Sequence, residues 1–333
     1  MQFNPMRAGV LKKLLGGLLF LPLVALATQP QIVTSIKPVH SLVAGVMQGV
    51  GEPLLLVSGG ASPHDYSLKP SEARAIDQAQ VVFWIGPDLE SFLIRPLDNV
   101  KNKVRVVALL DAPGMTVLPL REGGAWEPHG HEHGHDEHGH ETPEDGDDHE
   151  HEHEHEHVHQ ADHDPHVWLD PVNAIAMVRR IMTVLGEVDV AHRADYQRNG
   201  AALIERLDRL NQRLATELAP VRQQPYLVFH DAYQYFEQRY DLDAIGSVTM
   251  SAERRPGAKR VADIQARIRD LQVRCVFSEP QFQPALVETI IAGSAARRGV
   301  LDPLGAELPP GPDAYFQLLQ GLAISLRACL SGV

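Results

Sequence analysis

The residues of this 333-residue chain best able to do chemistry are its histidines, of which there are 18. Five stand apart from a dense tract: His40, His64, His166, His192 and His230. A neutral imidazole can offer one ring nitrogen to a metal while the other hydrogen-bonds a neighbour. His230 directly follows an apolar run at 226–229 that reads as a strand. His64 lies in a Gly-, Ser- and Pro-rich loop at 59–69, after a strand-like run at 53–57. Asp302 directly follows a third run, 299–301, and His166 sits where the tract gives way to ordinary sequence. In open parallel sheets, ligands bind beyond the carboxyl ends of the strands. These four positions, two from each half of the chain, form the candidate site. Three nitrogens and one oxygen suit tetrahedral zinc, whereas manganese prefers more oxygen ligands. His40, in the first turn of a helix, and His192, near the start of a longer one, are expected to be surface or packing residues. Trp168 either walls the same cleft or simply packs.

Thirteen histidines fall in the tract at 129–163, interleaved with Glu, Asp and Gly. Imidazoles bind zinc, copper and nickel, and the carboxylates add negative charge. The tract has too few apolar residues to bury a core and is expected to be disordered without metal. A solvated acidic loop is the plainer alternative. An affinity tag would sit at a terminus and would not alternate with Glu. HExxH occurs five times here, as at His131 to His135. That pattern marks zinc proteases only on a helix with an apolar face, and here it follows from simple alternation.

The elements that must position these residues alternate along the chain. Strands are expected at 31–36, 53–57, 80–85 and 104–109, with helices at 38–50, from 70, and at 88–97. A second block has strands at 226–229, 242–245, 273–277 and 299–301, with helices at 232–240, 259–271, 285–297 and 313–330. The pattern predicts an α/β fold of two similar lobes, each a four-stranded parallel sheet flanked by helices. Between the blocks, 189–218 lacks proline, and Tyr196, Leu203, Leu207, Leu210, Leu214 and Leu218 share one helical face. Such a helix would span about 45 Å and join the lobes as one long rigid rod, weakened slightly by Gly200. The expected boundaries are a signal peptide at 1–27, an N-terminal lobe at 28–170 with its acidic loop at 122–164, a helical connector at 171–219 and a C-terminal lobe at 220–333.

The net charge of −13 is unevenly spread. Residues 122–164 hold 16 acidic groups and no Lys or Arg, whereas the chain outside that segment and outside 1–28 carries 27 charges of each sign. A neutral body lacks the basic surface that nucleic-acid binding needs. There is no GxxxxGK or CxxC motif, which weakens nucleotide and thiol-redox readings. Arg7, Lys12 and Lys13 precede an apolar run at 14–27 that ends Ala25-Leu26-Ala27. This reads as a secretory signal cleaved after Ala27. The alternative, a membrane anchor, needs about 20 apolar residues, and Pro22 interrupts the run. Export makes Cys275 and Cys329 a candidate disulfide, with two buried thiols as the alternative.

Local sequence narrows the site further. Gly60-Ala61-Ser62-Pro63-His64-Asp65-Tyr66-Ser67-Leu68-Lys69-Pro70-Ser71 resembles the first metal motif of the zinc-binding proteins of bacterial ABC importers. Asp164-Pro165-His166-Val167-Trp168-Leu169-Asp170-Pro171 resembles their second, Phe229-His230-Asp231-Ala232-Tyr233 their third, and Leu301-Asp302-Pro303-Leu304-Gly305 their fourth. The resemblance spans nearly the whole chain after the signal, including the acidic insertion and the cysteine pair, which is a disulfide in similar zinc binders. It implies two lobes joined by a long helix, one Zn2+ in the cleft between them, and His64, His166 and His230 as ligands. In manganese-binding relatives a carboxylate holds the third position, where His230 stands here. Some members place Glu immediately before the first ligand; Pro63 stands there instead, so the fourth ligand is Asp302 or a water.

The function this implies is capture of periplasmic zinc by a monomer and delivery to a membrane permease, without catalysis. The tract would add weak zinc sites, as a collector or as a sensor of abundant metal. Affinity should fall as the pH drops through about 6.5, since zinc needs unprotonated imidazoles. The rival readings are a manganese importer component, a zinc hydrolase with Asp65 or Glu279 as base, and a metal-storage or adhesion protein.

Overall fold

The computed structural model describes residues 1–2, 30–121, 126, 163–249, 256–281 and 284–332. The expected signal peptide, apart from residues 1–2, and all of the histidine tract except His163 lie outside these residues.

The first block yields β1 (Ile32–Thr34), α1 (Lys37–Val46), β2 (Leu54–Leu55), α2 (Pro70–Gln78), β3 (Val81–Trp84), α3 (Ile94–Val100) and β4 (Arg105–Ala108). After α4 (Pro171–Val188) and α5 (Arg193–Leu218) come β5 (Tyr226–His230), α6 (Gln234–Tyr240), β6 (Ala244–Thr249), α7 (Ala258–Asp270), β7 (Cys275–Ser278), α8 (Pro284–Ile291), β8 (Arg297–Val300) and α9 (Ala314–Leu330). Every residue of β3 and β5 is buried, as expected for parallel strands covered on both faces. The sheets have the orders β2-β1-β3-β4 and β6-β5-β7-β8, and all neighbouring strands run parallel. Each therefore has a switch point, between β1 and β3 in one and between β5 and β7 in the other, where a crevice opens beyond the carboxyl ends.

Several elements differ from expectation. The helix expected at 285–297 stops at Ile291, because Gly293 takes a left-handed φ of 72° and turns the chain into β8. β6 runs on to Thr249, which pairs opposite His230. The long helix starts at Arg193 rather than at 189. Asp189 instead closes a turn, accepting hydrogen bonds from His192 Nδ1 at 2.7 Å and Tyr196 Oη at 2.8 Å. α4 and α5 consequently form a helical hairpin whose second arm, of 26 residues, is about 39 Å long. Gly200 has a packing role as well as a propensity cost. A Cβ there would lie 2.2 Å from Met182 Sδ, so glycine lets α4 and α5 approach closely.

The rod is not the only link between the halves. A single apolar cluster extends from Ile32 to Leu330 and includes residues of α1, α4, α5, α9 and both sheets. A smaller cluster covers the far face of each sheet. His40, expected at a helix end, is buried within α1, where its Nε2 lies 3.1 Å from the Pro53 carbonyl oxygen. Among the described residues no helix is long and apolar enough to cross a membrane.

Cys275 of β7 and Cys329 of α9 form a disulfide with Cα atoms 6.2 Å apart. It fastens the last helix to the second sheet. Its partners are 54 residues apart, so the chain-entropy account predicts stabilisation of about 4 kcal/mol. The double substitution Cys275→Ala, Cys329→Ala should lower the unfolding free energy by up to that amount, as measured by urea unfolding with the slope fitted for each form, and the slope should rise because the uncrosslinked chain unfolds to a more expanded state.

Candidate metal centre

His230 is the last residue of β5, and Glu279 directly follows β7. The parallel register pairs Tyr226 with Cys275 and Leu227 with Val276. Continued to the strand ends, that register sets residue 230 beside residue 279. His230 Nδ1 lies 2.6 Å from Glu279 Oε1, and both side chains are buried. With Nδ1 donating to the carboxylate, the Nε2 lone pair is left for a ligand.

His166 has the same arrangement by a local route. In Asp164-Pro165-His166, Asp164 Oδ1 accepts from His166 N at 3.0 Å and lies 2.7 Å from its Nδ1. Burial disfavours charge on both partners. It pushes the Asp164 carboxyl up to about 7 and, helped by the nearby His230, holds the His166 imidazole well below its usual value. His166 therefore stays unprotonated below the 6.5 expected for a free histidine. Asp164 is fixed in turn: its N–H donates to the Leu118 carbonyl at 2.9 Å, and its carbonyl accepts from Tyr235 Oη at 2.7 Å. Pro119 and His163 form an antiparallel bridge, so the two ends of the acidic segment leave and re-enter the fold side by side. Next to this stem, Arg121 Nε donates to Asp231 at 3.0 and 3.1 Å, and its Nη1 donates to Glu237 at 2.6 Å.

His64 is the half-buried member of the set. It occupies a 3-10 turn, Pro63–Asp65, whose preceding Ser62 accepts from His64 N at 3.3 Å. Two residues on, the Tyr66 ring packs on Phe92 with centroids 5.1 Å apart, and Tyr66 Oη donates to Glu72 at 2.8 Å. These contacts hold the turn against α2 and the loop before α3.

The three rings converge. His64 Nε2 and His166 Nε2 are 3.3 Å apart, and His230 Nε2 is 3.4 Å from the same His166 atom. Nitrogens about 2.0–2.1 Å from a tetrahedral zinc are separated by roughly 3.3–3.4 Å along the tetrahedron edge. Among the described residues these three form the one cluster of potential metal ligands. A cavity of about 20 Å³ adjoins them, walled partly by the fully buried Trp168 and by Pro303. Trp168 thus both packs and lines the site, and its Nε1 donates to the Pro303 carbonyl at 2.8 Å.

Asp302, expected as the fourth ligand, does not join the cluster. Its carboxylate accepts from the backbone N–H groups of Leu304, Gly305 and Ala306 at 3.1, 2.8 and 2.6 Å. Short aspartates commonly close turns in this way. Gly305 supplies the left-handed φ of 66° that the turn needs. Lys37 of α1 satisfies the turn's other polar side, donating to the Ala306 and Leu308 carbonyls at 2.8 and 2.7 Å and also to that of Gly305. Burial lowers the Lys37 pKa, with the Asp302 charge opposing. The sequence reading missed Lys37 and the carboxylate partners of the imidazoles. Glu279 drew notice only as a hydrolytic base, although its place after a central strand was a usable signal. Asp65, the other candidate base, is exposed.

Comparison with known proteins agrees with this chemistry. The family model described as zinc-uptake complex component A, periplasmic, matches residues 32–329. The chain is 54% identical over 305 residues to the high-affinity zinc uptake system protein ZnuA of Brucella suis biovar 1, covering 90% of this chain and 91% of that one. It is 39% identical over 307 residues to the protein of the same name from Paracoccus denitrificans, covering 92% and 93%. A crystal structure of ZnuA superposes with a TM-score of 0.72 at 25% identity, covering 91% of this chain and 100% of the other.

The carboxylates behind the rings should matter for metal binding. Asp164→Ala and Glu279→Ala are each expected to weaken zinc affinity at the histidine cluster roughly 10–100-fold without abolishing that site. Competition against a chromophoric chelator measures this, and unchanged affinity would assign the two residues to packing alone.

Proposed function

The chain belongs to the family of periplasmic zinc-uptake binding components, and on that premise we propose that it captures Zn2+ in a cleft between its two sheets and delivers it to the membrane permease of an ABC importer. The carrying observation is the spacing of the three Nε2 atoms, 3.3 and 3.4 Å, at the edge length of a zinc tetrahedron. His64, His166 and His230 are the proposed ligands. Three imidazoles with no carboxylate among them favour zinc over the oxygen-seeking manganese. The hydrolase reading loses Glu279 as its base, because that carboxylate is bonded to His230 Nδ1.

Binding in this proposal costs the fold little. The rings face one another, and those of His166 and His230 have Nδ1 engaged by carboxylates, so loading requires small adjustments, chiefly of the half-buried turn that carries His64. Substitution gives the direct test. His64→Ala and His230→Ala should each abolish tight, one-to-one zinc binding by calorimetry. Wild-type affinity in both variants would remove the site.

We further propose that residues 1–27 direct export and are cleaved, that the mature monomer works in the periplasm, and that the histidine tract is a low-affinity collector or sensor. The tract's ligand density supports that role. So does its stem, which ends one residue before Asp164, the partner of His166. Deleting residues 129–162 should remove the weak sites and spare the tight one. Equilibrium dialysis counts both classes, and loss of the tight site would refute their separation.

A further inference from the structure

The three imidazoles leave one corner of a zinc tetrahedron to be filled, and the side chains around the adjoining cavity restrict what fills it. The carboxylate of Asp302 is engaged by its own turn, and Glu279 by His230. Ser62 Oγ accepts from the His64 backbone. Pro63 and Pro303 line the cavity and have no N–H to offer. Gln281 lines the same cavity, and both polar atoms of its amide, Oε1 and Nε2, are buried without a hydrogen-bond partner among the described residues. Buried amides are rarely left unsatisfied, and an unpartnered one points to a missing ligand or water. The cavity volume of about 20 Å³ is room for one water.

We infer that a water completes the zinc coordination and that the Gln281 amide holds it, which makes Gln281 a positioning residue for the bound metal. The inference rests on the three-histidine reading of the previous subsection. A water on zinc presents acidic hydrogens, and the amide oxygen accepts one. A neutral amide accepts that hydrogen bond without taking the proton. Catalytic zinc sites instead set a base beside the water. An amide here therefore suits a site that holds its ion and gives it up unchanged, through a ligand that exchanges readily. Gln281 lies two residues past Glu279, so the segment after β7 both orients the His230 ring and supplies the water's partner.

The test is Gln281→Leu, which keeps the side-chain bulk and removes both polar atoms. Zinc affinity should fall about tenfold or more, the usual effect of losing an outer partner. The ligand-field bands of the Co2+-loaded protein should shift, because the fourth ligand is no longer held. The metal-free variant should melt at or above the wild-type temperature, since a buried unsatisfied amide has gone. A purely structural role for Gln281 would lower that temperature along with the affinity, and would overturn the inference. Unchanged zinc affinity and unchanged Co2+ bands would overturn it equally. A crystal structure of the zinc-loaded wild type gives a check that does not depend on the variant's folding. It should contain a water on zinc within hydrogen-bond reach of Gln281, and a carboxylate in that place refutes the assignment. Failure of the three-histidine reading would appear separately, as tight zinc binding retained by His64→Ala and His230→Ala.

Discussion

Three imidazole nitrogens, contributed by residues 102 and 64 positions apart, have to meet within 3.3 and 3.4 Å and stay unprotonated there. This is a demanding arrangement for a folded chain. Two protonated rings so close would repel, and burial penalises even one. The fold answers with carboxylates set behind the rings. Asp164 and Glu279 each engage an Nδ1, which fixes the tautomer and turns the Nε2 lone pair toward the common centre. Burial adds to the effect by holding His166 neutral below the usual imidazole value.

The rest of the structure keeps those rings in register. One apolar cluster runs through both halves, so the sheets cannot separate without exposing core. Polar bonds between distant segments reinforce it. Lys37 of α1 grips the turn after β8, Trp168 donates to Pro303, and Tyr315 Oη donates to the Trp168 carbonyl at 2.6 Å. Tyr315 N also donates to Ser41 of α1 at 2.9 Å. Of these, the Trp168–Pro303 bond joins two residues that line the site. His64 is the exception: it rests on a short turn steadied by Tyr66 and Phe92, and it remains half-buried. The histidine cluster thus combines two rings locked in the interior with one at its margin.

Much of this was legible in the residues. The apolar runs at 80–85 and 226–229 marked buried parallel strands, and the leucine stripe from Leu203 to Leu218 marked the long helix. Such patterns are local, because burial on one face or both is written into side-chain periodicity. Boundaries were less legible. Asp189 belongs to a turn because His192 and Tyr196 bond its side chain, and Gly200 matters because Met182 lies across from it. Neither partner is marked as such by the local sequence.

The sequence by itself determined the class of fold, the repeated order of its two halves, and the three histidines that the structure brings together. Only the tertiary structure decided that Glu279 stands behind His230, that Asp302 lies outside the cluster of three histidines, that Lys37 grips the turn after β8, and that Gln281 lines the adjoining cavity. The reason is the range of the forces. Periodicity and turn chemistry act over a few residues and can be read along the chain. Glu279 meets His230 through strand register, 49 positions apart, and Lys37 reaches the turn closed by Asp302 across some 268 positions, contacts made only when the two sheets close on one core.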